Sequence, residues 1–222
     1  MSAIDQLRTA IVDGIAKEAV SQTELGLTEG VAAVDLLQDG LMAAMREVGQ
    51  LFEDKEIYVP EMLVSAYAMK ASLAILRPHL VDSDVQASGR VAIGTVEGDL
   101  HDIGKNLVAM MLQGSGFEVE DLGVDVYPER FVQAARDGAD VIAMSALLTT
   151  TMPNMVKVVE ALRAAGIRDQ VRIVVGGAPI TQSHCDEIGA DGYAKTASSA
   201  VRMVQGVLGL ATSADGRAAT AR

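Results

Sequence analysis

Apolar positions along this chain follow two different periods, and the change falls near residue 90. Over roughly residues 3–80 the spacing is helical. Leu7, Ile11 and Ile15 recur every fourth residue, and Val34, Leu37, Leu41, Met45, Val48 and Phe52 follow in steps of three and four, which sets them on one helical face. Breaks fall near Gly14, between Gly26 and Gly30, and from Asp54 to Pro60. The pattern predicts four helices, at about 3–13, 15–28, 32–53 and 60–79. Pro60 suits a first helical turn, where its missing N–H costs little. Short connections between amphipathic helices predict a compact four-helix bundle.

From Arg90 the pattern becomes short apolar, β-branched runs alternating with helical stretches. VAIGTV (91–96), FEVEDLG (117–123), DVIAMSAL (140–147), VRIVVGG (171–177) and DGYA (191–194) read as five strands. Helices are expected at about 104–115, 128–137, 152–165, 180–188 and 196–209. Strands and helices in this alternation predict an α/β domain, a Rossmann-like (flavodoxin-like) doubly wound parallel five-stranded sheet covered on both faces. The expected organisation is a helical cap domain at 1–80, a small-residue polar linker at 81–89, the α/β domain at 90–211, and a disordered Ala-rich tail at 212–222.

Composition narrows the function classes. Half of the 222 residues are hydrophobic and 22% are charged, a globular balance. No uninterrupted apolar run reaches the roughly 18 residues of a membrane helix. The N-terminal MSAIDQLRTAIVDGIAKEAV lacks a signal-peptide core, so a cytoplasmic protein is expected. A formal net charge of −12 opposes nucleic-acid binding. The single cysteine, Cys185, leaves no internal disulfide and no cysteine-based zinc site. The eleven methionines read as adaptable packing, and His79 and His184 as structural residues.

Three features fall where strands end, which is where parallel sheets bind ligands. They are Asp99-Leu100-His101-Asp102-Ile103-Gly104, Ser145-Ala146-Leu147, and Gly176-Gly177. A metal-ligating imidazole needs its other ring nitrogen hydrogen-bonded to fix the tautomer. Asp99 suits that task. Asp102 competes for it but reads equally well as a charge at a helix N-terminus. Gly104 lets a bulky ligand approach the helix start. Taken singly, each feature has an ordinary reading: a surface histidine, a serine turn, a tight glycine turn. No GxxxxGK[ST] loop, GxGxxG fingerprint or GxSxG elbow accompanies them, which argues against nucleoside triphosphates, nicotinamides and hydrolase chemistry.

Together, Asp99-x-His101-x-x-Gly104, Ser145-x-Leu147 and Gly176-Gly177 resemble the DxHxxG–SxL–GG signature of cobalamin-binding domains. The stretch GDLHDIGKNLV (98–108) is similar to that of cobalamin-dependent methionine synthase and of the small corrinoid proteins of methanol, methylamine and methoxyarene methyltransferase systems. In the helical half, Val48-Gly49-Gln50-Leu51-Phe52 and Val59-Pro60-Glu61 resemble the cap of the same group. The resemblance spans about residues 3–210.

The resemblance implies a cofactor, cobalamin, as methylcobalamin or cob(I)alamin, bound with its own base off the cobalt and His101 as lower axial ligand. Asp99 would be the partner of His101, and Ser145 the outer member of the relay. Asp102, Ile103, Gly104, Leu147, Thr149, Gly176 and Gly177 would also contact the cofactor, with its nucleotide tail passing Ser145, Leu147 and the glycine turn. Phe52 and Val59 would cover the upper face, or else serve only as bundle core. The implied role is that of a non-catalytic methyl carrier cycling between Co(I) and methyl-Co(III). Its implied partners are a substrate:corrinoid methyltransferase, a corrinoid:acceptor methyltransferase that uses tetrahydrofolate or a thiol, and a reductive activator protein, with no nucleic acid or membrane. Two alternatives share the domain. One is a subunit of an adenosylcobalamin-dependent mutase, for which the chain lacks a barrel. The other is a cobalamin-based light or ligand sensor, for which it lacks tryptophan and a basic module.

Overall fold

The computed structural model describes residues 2–80 and 88–210. Most of the expected linker and the whole expected tail lie outside these residues. The chain forms two compact units, Met1–Ala87 with Met110–Phe117, and Ser88–Ala109 with Glu118–Arg222.

The first unit contains α1 (Ala3–Val12), α2 (Ala16–Thr28), α3 (Ala33–Asp35), α4 (Ala43–Glu53) and α5 (Val59–Leu80). Ser2 starts α1 with a reciprocal cap, its hydroxyl accepting from Asp5 N–H while the Asp5 carboxylate accepts from Ser2 N–H. Leu7, Ile11, Leu36, Leu41, Met45 and Val48 are fully buried or nearly so, as their helical spacing requires. The helix expected over 32–53 is not uniform. A π-helical stretch, Leu36–Met42, joins α3 to α4. Its Gly40 lies so close to α1 that a Cβ there would meet Leu7 Cδ2 at 2.9 Å. Helix α5 is long and apolar enough to cross a membrane by length and composition. Here it packs against α2, α4 and α1 and buries Met62, Ala66, Met69 and Leu76. It runs through Pro78 to Leu80, with His79 in its last turn.

The second unit is built on five parallel strands, β1 (Arg90–Val96), β2 (Glu118–Val126), β3 (Val141–Ser145), β4 (Arg172–Gly176) and β5 (Gly192–Ala194), in the order β2-β1-β3-β4-β5. The helices that connect them in sequence are α6 (Ile103–Gly114, whose residues from Met110 on are counted with the first unit), α7 (Pro128–Arg136), α8 (Pro153–Ala164) and α9 (Gln182–Ile188), and α10 (Ala197–Val207) follows β5. Val91 to Val96 are all buried, the continuous run expected of a central strand covered on both faces. On one face Ala92, Ile142, Met144, Ile173 and Val175 form a core with Phe131 of α7 and Met155, Val158, Val159 and Leu162 of α8. The chain leaves β1 for β2 on one side and reaches β3 on the other. The strand order therefore reverses at β1/β3, the switch point at whose carboxyl ends open α/β sheets bind ligands.

Candidate functional site

Asp99 and His101 lie in the loop between β1 and α6, at that switch point. Gly98, at φ +77, turns the chain sharply out of β1. Asp99 N–H then donates back to the Val96 carbonyl (3.1 Å), and the buried Thr95 hydroxyl donates to the His101 carbonyl (2.9 Å). These local bonds turn the Asp99 side chain inward, where it is completely buried, and leave that of His101 about half exposed.

The Asp99 carboxylate collects donors from two loops. Its Oδ1 accepts from His101 N–H (3.1 Å) and lies 2.7 Å from His101 Nδ1. Its Oδ2 accepts from Leu147 N–H (2.8 Å), Leu148 N–H (3.3 Å) and the Thr151 hydroxyl (2.7 Å), all in the connection between β3 and α8. Burial by itself pushes the carboxyl pKa up. The bonds from Leu147, Thr151 and His101 outweigh it and hold the carboxyl far below the usual carboxylate range. Asp99 is therefore a permanent anion at neutral pH. It fixes a proton on His101 Nδ1, leaving Nε2 as the lone-pair nitrogen. Nε2 has no partner among the described residues.

The structure decides between the two aspartates flanking His101. Asp102 precedes α6, and its carboxylate accepts from the Asn106 side chain (3.1 Å), the helix-start role. In the relay, the place expected for Ser145 is held by Thr151. Ser145, the last residue of β3, pairs in register with Thr95 and Gly176, and its hydroxyl is not among the Asp99 partners. The clue to Thr151 was the run Thr149-Thr150-Thr151 after β3. Thr149, expected as a cofactor contact, is exposed, and Thr151 is the buried one that reaches Asp99.

The remaining expected residues of this unit follow the carboxyl ends of the same strands. Leu100, Ile103 and Leu147 are exposed, Ile103 by 76%. A Cβ at Gly104 would meet nothing within 4 Å, so the start of α6 is open to a bulky group. Gly177, at φ +132, follows β4 so closely beneath the β3 loop that a Cβ would run into the Ala146 carbonyl oxygen. Phe52, half-buried at the end of α4, and Val59, exposed at the start of α5, belong to the other unit.

No group of three or more His, Cys, Asp or Glu side chains among the described residues is arranged to hold a bare metal ion. One oriented imidazole with a free Nε2, beside open apolar side chains, suits a metal that arrives with its own equatorial donors, as cobalt does in a corrin. The residues present fit that group.

Comparison with known proteins agrees. Residues 89–202 and residues 3–77 each match a family model described as a B12 binding domain. The chain is 41% identical over 213 residues to a corrinoid protein of Desulfitobacterium hafniense, covering 94% of this chain and 99% of that one. It is 43% identical over 208 residues to trimethylamine corrinoid protein 1 of Methanosarcina acetivorans, covering 92% and 96%. Among solved structures, the methanol:cobalamin methyltransferase complex of Methanosarcina barkeri superposes with a TM-score of 0.84 at 28% identity, over 95% of this chain and 81% of the other.

Proposed function

The chain belongs to the B12-binding family of corrinoid proteins, and on that premise we propose that it carries a methyl group between a methyltransferase that loads it and one that unloads it. When bound, cobalamin supplies a cobalt that accepts and gives up a methyl group. Everything else falls to the residues of the chain.

The observation that carries this reading is the hydrogen-bonded series Thr151–Asp99–His101, ending in a half-exposed imidazole whose Nε2 has no partner among the described residues. In this reading His101 Nε2 would hold the cobalt of the cofactor. Asp99 holds the ring in one orientation and one tautomer, with Nε2 as the donor nitrogen. Thr151 and the Leu147 and Leu148 N–H groups keep Asp99 ionised and immobile. When Nε2 is not ligating, a proton entering there gives an imidazolium already paired with Asp99, so uptake and release of ligand are linked to a proton at a single atom. Leu100, Ile103 and Leu147 offer apolar contact to the corrin, and Gly104 the room for it. The tail of the cofactor would pass Ser145 and the Gly176-Gly177 turn. The reductive activator expected from the sequence is a third partner in this scheme.

The test is the visible spectrum of protein reconstituted with methylcobalamin, wild type beside His101→Ala. Stoichiometric uptake by both, with a spectrum shifted by the substitution, supports the ligand assignment. Unchanged spectra would refute it, and no uptake by the wild type would refute the carrier reading.

A further inference from the structure

Strand β2 departs from regular pairing just where it passes the His101 loop. Its register with β1 runs evenly from Arg90↔Glu118 to Ile93↔Asp121, then shifts to Gly94↔Gly123 and again to Val96↔Val126. The extra residues form a bulge, a device that bends a strand and re-aims its side chains. Asp125 lies within it at φ +53, a left-handed conformation that aspartate tolerates better than most residues. Its contacts run to the loop. The Asp125 Oδ1 accepts from Gly98 N–H at 2.6 Å, and Asp125 N–H donates to the Asp99 carbonyl at 3.0 Å. The Gly98-Asp99 segment is thus held at both ends, by its leading N–H and its trailing carbonyl, by one residue.

We propose that Asp125 is a positioning residue for the His101–Asp99 pair: the β2 bulge clamps the two-residue segment Gly98-Asp99 so that the Asp99 carboxylate meets its donors and orients the His101 ring. The inference rests on the ligand reading above. The far end of the bulge is also anchored. Lys105 of α6, 3% exposed, places its ammonium 2.5 Å from Asp121 Oδ1, and the same oxygen accepts from Gly123 N–H at 2.9 Å. Helix α6 begins two residues after His101. The bulge therefore ties together both flanks of the loop, while the β3 loop holds the Asp99 carboxylate from the other side. A bulge that merely ended strand pairing would need neither reciprocal bond.

Two variants separate these roles. Asp125→Gly keeps the left-handed backbone and removes the acceptor. Asp125→Asn keeps both the backbone preference and an acceptor oxygen. In corrinoid-free protein, NMR-monitored amide exchange at Gly98 should quicken about 10-fold in Asp125→Gly and stay near wild type in Asp125→Asn. After reconstitution, Asp125→Gly should bind corrinoid stoichiometrically. Its His-ligated to unligated ratio should fall about 3- to 10-fold, moving the spectrum toward that of His101→Ala, with Asp125→Asn restoring it. An Asp125→Gly spectrum identical to wild type, while His101→Ala differs, overturns the positioning role and leaves the ligand reading intact. So does an Asp125→Asn variant that is as impaired as Asp125→Gly. A His101→Ala spectrum identical to wild type overturns the ligand reading itself, and the positioning role with it.

Discussion

The two units of this protein bury their interiors by different physics. The helical unit is held by apolar side chains at helical spacing, with glycines where helices come close, as where Gly40 meets Leu7 and Gly26 meets Leu36. Its buried Thr23 and Ser65 hydroxyls donate to main-chain carbonyls, Thr23 to Ala19 four residues back and Ser65 to Glu61 and Val12. The α/β unit has an equally apolar sheet, but at the carboxyl edge of that sheet a buried carboxylate is held by donors contributed from two loops. Dispersion and burial depend on volume and tolerate exchange of similar shapes. A hydrogen-bonded buried charge depends on direction, and each donor it satisfies is left stranded when it goes.

The contrast can be tested from the largest expected effect to the smallest. Gly177→Ala should be worst. It places a Cβ against the Ala146 carbonyl in a backbone conformation foreign to alanine, at a cost of about 3 kcal/mol, read by denaturant unfolding of the corrinoid-free protein. Asp99→Asn changes almost no volume, yet it turns an amide NH₂ toward a site surrounded by donors, and about 2 kcal/mol should be lost. The sign of its pH dependence follows from the lowered carboxyl. The stabilisation is fully present above the ordinary aspartate value of 3.8 and is lost as pH falls toward the much lower folded value. The gap between wild type and Asp99→Asn should therefore be constant near neutrality and close in strong acid. Thr151→Val removes one donor to Asp99 and should cost about 1 kcal/mol, with a smaller spectral shift after reconstitution than His101→Ala. Leu41→Met, fully buried in the helical unit, should cost less than about 1 kcal/mol. If Leu41→Met proved as damaging as Asp99→Asn, the distinction between the two interiors would fail.

Much of this was legible beforehand, since helix and strand periods are local. The four-helix pattern and the five strands lie within a few residues of their expected positions, with two departures. The π-helical stretch at Leu36–Met42 has the same apolar spacing as an α-helix and leaves no separate trace in the sequence. The bulge at Asp125 reads as one more polar position in FEVEDLGVDV, because its conformation answers to the Gly98 N–H and the Asp99 carbonyl from another part of the chain.

By itself, then, the sequence determined the elements, the parallel sheet and the gathering of Asp99, His101, Ser145, Leu147, Gly176 and Gly177 at one edge, because a βαβ chain must bring its strand ends to the same side. Only the tertiary structure decided which groups touch. It gave Asp99 rather than Asp102 to His101, Thr151 rather than Ser145 to Asp99, and Asp125 to the loop between them. A hydrogen bond requires donor and acceptor within about 3 Å and in line. Spacing along a chain fixes which loop a residue occupies, but not that alignment.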